Sequence, residues 1–226
     1  MRRMSPYLTR LLLPTPVTAN VLTWLMLAAG LAAAFLLSLP SVVAAAGAVI
    51  LIQLQVLLDC SDGELARWRQ HFSPAGIYLD RFAHYVTETA FPIALGIRAD
   101  GGWGSIGGWT TLGLGIAVLV LLIRTESALV HVARAEAGRP LVEDRKEIAA
   151  PTSGALQRIR RLLGLVPFYR AFIATEATLL AFIAAVIDAV ADDFAGTRVL
   201  LVALLPVAAI TAAGHLLAIL ASSRLR

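Results

Sequence analysis

Apolar runs, each close to the roughly 20 residues that carry an α-helix across a bilayer, follow one another along the chain at about 18–38, 41–61, 77–97, 110–131, 168–190 and 199–221. Runs of this length, repeated from end to end, predict an all-α, polytopic membrane protein with six transmembrane helices. The first run is long enough to stay as a span, so no cleaved signal peptide is expected. Ahead of it, MRRMSPYLTRLLL is basic and amphipathic. It reads either as a short helix on the cytoplasmic face or as a positive anchor that only sets topology. Pro14 and Pro16 break the chain after it. No internal repeat and no composition boundary divides the sequence, so residues 1–226 are expected to form a single domain.

Composition agrees: 58% of residues are hydrophobic and the mean hydropathy is +0.78, above the balance of a soluble domain. Arginine placement predicts orientation. Six spans put both termini on one side, which receives Arg2, Arg3, Arg10, Arg67, Arg69, Arg134, Arg139, Arg145, Lys146, Arg158, Arg160, Arg161, Arg170, Arg224 and Arg226. The opposite loops hold Arg98 and Arg198 with Asp100, Asp192 and Asp193. Both termini are expected in the cytoplasm, and the membrane is expected to be the inner (plasma) membrane. The net charge of +4 suits a membrane surface or phosphate-bearing ligands, and nucleic acid is a poor alternative. A lone cysteine, Cys60, excludes an internal disulfide. The connection at about 133–166 holds most of the soluble charge, with Pro and Gly breaks, and suits a surface helix or a flap.

The chemistry concentrates where spans two and three meet on the cytoplasmic side. Asp59 and Asp62, three apart, share a helix face; Asp80 and His84, four apart, share another, which Glu88 continues. Carboxylates near hydrocarbon are costly unless neutralised, and polar groups there are functional candidates. A hard divalent cation is the simplest neutraliser: Mg²⁺, with Mn²⁺ as substitute, takes oxygen ligands and works with substrate phosphates. Two such ions clamping a pyrophosphate would suit in-line phosphoryl displacement. Gly63, Ala66 and Gly76 let a ligand or a second helix approach the backbone, and Arg67 offers a planar fork for phosphate. Helix packing alone is the plainer reading of any one of these small residues.

The run DCSDGELARWRQHFSPAGIYLDRFAH, Asp59 to His84, resembles the signature of the CDP-alcohol phosphotransferase family, D-x2-D-G-x2-A-R, eight residues, G-x3-D-x3-D. Seven of its eight positions match at the family's spacing: Asp59, Asp62, Gly63, Ala66, Arg67, Gly76 and Asp80. The resemblance implies transfer of a substituted phosphate from a CDP-linked donor to an alcohol, with release of CMP. It implies Asp59, Asp62 and Asp80 as metal ligands, and Gly63, Ala66, Arg67 and Gly76 as nucleotide-site residues. It also implies a homodimer. Asn20, near the cytoplasmic end of span one, is a further candidate for the nucleotide. The departure is His84, where the family has aspartate. Three readings stay open. His84 is the general base, its ordinary pKa near 6.5 suiting proton abstraction at neutral pH with Glu88 orienting it; or it is a metal ligand; or the position has lost its role.

Arg124, His131 and Arg134 fall near one face of span four. An arginine as deep as Arg124 needs a partner or a wet cavity. With Arg170, and Thr175 and Glu176 beyond it, these are candidate walls of an acceptor pocket, fit for an alcohol that carries a phosphate. The competing reading pairs Arg124 with Glu88 or Glu126 and makes Arg134 and Arg170 positive-inside anchors. The expected function is therefore phospholipid synthesis: a phosphatidyl group passes from CDP-diacylglycerol, entering from the bilayer, to an alcohol or phospho-alcohol. A catalytically silent member holding a CDP-ligand and metal as a membrane scaffold is the alternative. A small transporter would leave the ordered signature unexplained.

Overall fold

A computed structural model gives the fold and describes residues 3–139 and 174–222. Those residues form seven helices and no strand: α1 (Ser5–Leu12), α2 (Ala19–Ser38), α3 (Val42–Trp68), α4 (Pro74–Ala99), α5 (Gly108–Glu136), α6 (Ala174–Ala191) and α7 (Ala195–Leu220). The sequence sets the starts of three of them. The side chains of Thr18, Ser41 and Ser73 accept hydrogen bonds from the amides of Val21, Ala44 and Gly76, each satisfying one orphan donor of a helix N-terminus. Pro74 follows Ser73 at a position where its missing N–H costs nothing.

Helices α2, α3, α5 and α7 are long and apolar enough to cross a membrane. The expected third span, α4, carries Asp80 and Arg81 in its first half, Glu88 just past its middle and Arg98 near its end. The fifth expected span begins outside the described residues, which enter it at Ala174. The second span runs on past residue 61 to Trp68, so the first half of the acidic segment lies on one continuous helix. The turn to α4 then closes on α3: the amides of Gln70 and His71 donate to the carbonyls of Arg67 and Ala66, with Gln70 at φ 51°, a left-handed helix stop.

The core is built from small residues. Ala33, Ala45, Ala48, Ala94, Ala181, Ala185 and Ala208 are buried with Leu37, Ile52, Leu95, Ile116 and Leu201. Small side chains let helices approach closely where lipid supplies no hydrophobic driving force. Gly30 and Gly113 show how close: a Cβ on Gly30 would lie 2.4 Å from Thr87 Cγ2, and one on Gly113 would lie 2.4 Å from the Pro92 carbonyl oxygen. Large apolar side chains such as Val43, Ile50 and Val190 point outward, as a lipid-facing surface requires.

Away from the acidic segment, a polar lock ties the helix ends together. Arg98 lies in the last turn of α4 and is 1% exposed. This corrects its reading as a loop charge. It donates to Asp188 and to the carbonyls of Leu39 and Ser41, while Asp188 accepts from the amide and hydroxyl of Thr197. A buried guanidinium is tolerable because its donors are met. Arg198 donates to the Ala99 carbonyl and stacks on Trp109 and Phe194.

Candidate active site

The ends of α3 and α4 nearest their connecting turn carry the acidic segment, and packing brings its two halves together. His84 Nε2 lies 3.0 Å from Asp59 Oδ1 and 3.6 Å from Asp80 Oδ1, and His84 Nδ1 lies 3.9 Å from Glu88 Oε1. One ligand atom each from Asp59, Asp80 and His84 fall within 4.8 Å of one another. Two carboxylate oxygens and an imidazole nitrogen this close make a chemically apt donor set for a divalent ion. Each of the three side chains is about a third or more exposed, which leaves the cluster open to a ligand.

Asp62 stands apart from that group. It is 7% exposed, and its Oδ2 accepts the Thr23 hydroxyl of α2 at 2.7 Å. The shared face expected of Asp59 and Asp62 is present, but the second carboxylate is turned to a neighbouring helix. Around it the small residues do what close approach demands. Arg67 lies along Gly63, its Nη1 3.3 Å from where a Cβ would be. Asn20 Oδ1 lies 3.0 Å from the corresponding point at Gly76. Asn20, Gly76 and the arginine side of the signature thus border the same end of the bundle. Ala66 is half-buried on α3, and its carbonyl accepts the His71 amide.

A cavity of about 320 Å³ opens beside His84 between α4, α5 and α7, lined by Asp80, Arg81, His84, Tyr85, Glu88, Arg124, Ser127, His131 and His215. Arg124 and His131 are therefore at the cavity as expected. Arg134 is outside this lining, and Arg170 lies outside the described residues. Arg124 does not offer an unpaired fork: its Nε and Nη2 donate to the two carboxylate oxygens of Glu88. Arg124 therefore lines the cavity while paired with Glu88, one of the two partners expected for it. Glu126 instead receives His215 Nδ1 at 2.8 Å.

Sequence reasoning missed Arg81, Tyr85, Ser127 and His215. Arg81 and Tyr85 sit beside Asp80 and His84 on α4, so a helical reading of the signature's neighbours would have found them. Tyr85 donates to the Arg124 carbonyl. His215 is the one histidine in the long apolar helix α7, a local signal that was legible.

A family model, CDP-alcohol phosphatidyltransferase, matches residues 16–159, more than half of the chain and all of the segment from Asn20 to Arg134. The chain belongs to that family. No curated protein and no solved structure matches it. Membership makes phosphatidyl transfer in phospholipid synthesis the family-level function. The matched residues include the acidic cluster, and the donor set found there suits a metal-dependent transferase family.

Proposed function

We propose that this protein is a membrane transferase that moves a phosphatidyl group from CDP-diacylglycerol to an alcohol and releases CMP. The observation that carries the reading is the convergence of Asp59, Asp80 and His84, two of which, Asp80 and His84, line the 320 Å³ cavity. On this reading α4 and α6 complete six spans, with the charged groups of α4 facing the bundle. Both termini and the site lie at the cytoplasmic face of the inner membrane. The chain acts as one domain and as a homodimer.

Asp59, Asp62 and Asp80 would hold Mg²⁺ or Mn²⁺, which leaves the lone pair of the neighbouring His84 for the acceptor hydroxyl. A bound ion would neutralise the donor pyrophosphate and ease departure of CMP. Gly63, Ala66, Gly76 and Asn20 shape the nucleotide site, and Arg67 takes a phosphate oxygen. The acceptor occupies the cavity past Arg124 and His131, with Arg134 and Arg170 toward the cytoplasm. Its hydroxyl oxygen attacks the phosphorus that bears the lipid alcohol. The bond from that phosphorus to the bridging oxygen breaks, and CMP leaves with the electron pair. His84 takes the hydroxyl proton, a role worth about 10²–10⁴ in rate, while Glu88 backs its Nδ1 side. Holding the two reactants in line supplies much of the rest.

The test is metal-dependent CMP release by the purified protein with CDP-diacylglycerol and a panel of plain and phosphorylated alcohols, run beside Asp62→Asn and His84→Asp. Release by the unaltered protein that is lost in Asp62→Asn supports the transferase. Silence with every acceptor, broken only by His84→Asp, makes the chain a disabled member that binds CDP-ligand and metal as a scaffold.

A further inference from the structure

Helix α1 has eight residues, too few to hold together alone in water. What orders it is α3. Ser5 and Thr9, one turn apart and both buried, donate their hydroxyls to the two carboxylate oxygens of Glu64 at 2.6 and 2.7 Å. Leu8 and Leu12 pack on the cluster of Leu22, Met26 and Leu65. Arg69 completes the fastening. Its Nη2 donates to the carbonyls of Leu12, Leu13 and Thr15, and its Nη1 donates to that of Val17. It therefore satisfies the last carbonyl of α1, that of Leu12, and holds the linker that follows. That linker ends at Thr18, the cap of α2. Two residues later Asn20 faces Gly76, and one further turn on Thr23 holds Asp62.

We propose that Glu64 and Arg69 are positioning residues of the donor site: through α1 and its linker they set Asn20 and Thr23 against Gly76 and Asp62. Glu64 lies inside the signature, between Gly63 and Ala66, yet it faces α1 instead of the Asp59–Asp80–His84 cluster. The N-terminal helix thereby becomes part of the nucleotide site without touching the ligand. The proposal rests on the reading of Asn20, Gly76 and Asp62 as donor-site residues.

The test uses the full chain in detergent with Mg²⁺. Glu64→Ala breaks the clasp from the α3 side, and the Ser5→Ala/Thr9→Val pair breaks it from the α1 side without altering the signature helix. Both are expected to raise the KM for CDP-diacylglycerol and the Kd for CMP about tenfold, the equivalent of one hydrogen bond to a charged group, with kcat nearly unchanged. Glu64→Gln keeps one acceptor oxygen for the two hydroxyls and loses the charge, so it is expected to fall between the unaltered protein and Glu64→Ala. A lowered melting temperature with unchanged KM and CMP affinity makes the clasp purely structural and overturns the proposal. If the unaltered protein neither releases nor binds CMP, the transferase reading fails by itself. Amide hydrogen exchange across residues 13–21 then decides: about tenfold faster exchange in Glu64→Ala keeps the positioning role, and unchanged rates overturn it.

Discussion

Glu88 grips Arg124 across the α4–α5 interface, with both carboxylate oxygens engaged by one guanidinium. The two groups are unequally placed: Glu88 is 10% exposed and Arg124 40%. The pair is also asymmetric in consequence, since removing the arginine strands a buried carboxylate, whereas removing the carboxylate leaves an arginine that water can reach. Arg124→Gln should therefore destabilise more than Glu88→Gln, by about 1–3 kcal/mol after allowing for the arginine's solvent exposure. The double variant should recover part of the loss. Thermal unfolding of the four proteins in one detergent gives the coupling. Strictly additive losses would mean that the pair contributes nothing as a pair.

The donor set at Asp59, Asp80 and His84 predicts metal-linked stability. A ligand that binds only the folded state stabilises it by about 2.7 kcal/mol at a hundred times its Kd. Millimolar Mg²⁺ should raise the melting temperature of the unaltered protein, and the rise should be largely absent in Asp59→Asn and Asp80→Asn. An equal rise in all three proteins would place the ion elsewhere.

Much of this was legible because the signals were local. The apolar runs located α2, α3, α5 and α7, and the three-and-four spacing put Asp59 with Asp62 on one helix face and Asp80 with His84 on another. What stayed hidden was pairing between residues far apart in the chain. Asp62 with Thr23, Glu126 with His215 and Arg98 with Asp188 each depend on which helices become neighbours and how deeply they approach, and the same contact decides for Glu88 between the two partners open to Arg124. No periodicity encodes that. Arg98 looked like a loop charge because it ends an apolar run. It is buried because Asp188 and two backbone carbonyls meet it there.

The close approach of helices at glycines makes a steric prediction. In Gly113→Ala the new methyl would lie 2.4 Å from the Pro92 carbonyl oxygen, a backbone atom that cannot rotate aside. Helices α4 and α5 must then separate, which should cost about 1–3 kcal/mol. Gly115→Ala, on the same helix with no atom within 4 Å of the added carbon, should be neutral or slightly stabilising, since alanine is the better helix former. Comparing their unfolding midpoints separates packing from propensity. Equal losses in both would remove the packing argument.

Asp100 supplies a pH dependence. It lies between α4 and α5, where it accepts the amides of Gly107, Trp109 and Thr110 and the Thr110 hydroxyl, and so does the capping that Gly107 cannot. Desolvation acts to raise its pKa, but the Thr110 hydroxyl and the three amides outweigh it and hold the carboxyl below its ordinary value. The unfolded chain therefore takes up this proton before the folded one does. The contribution is complete above the ordinary carboxylate pKa, near 3.9, and is lost as pH falls through the depressed native value. Asp100→Asn should cost about 1 kcal/mol at neutral pH through the weakened cap. The gap in melting temperature between the two proteins should be flat from neutral pH to about pH 5. It should then narrow as pH approaches that of the native carboxyl. A gap that stays constant into strong acid would show that the charge on Asp100 contributes nothing to the cap.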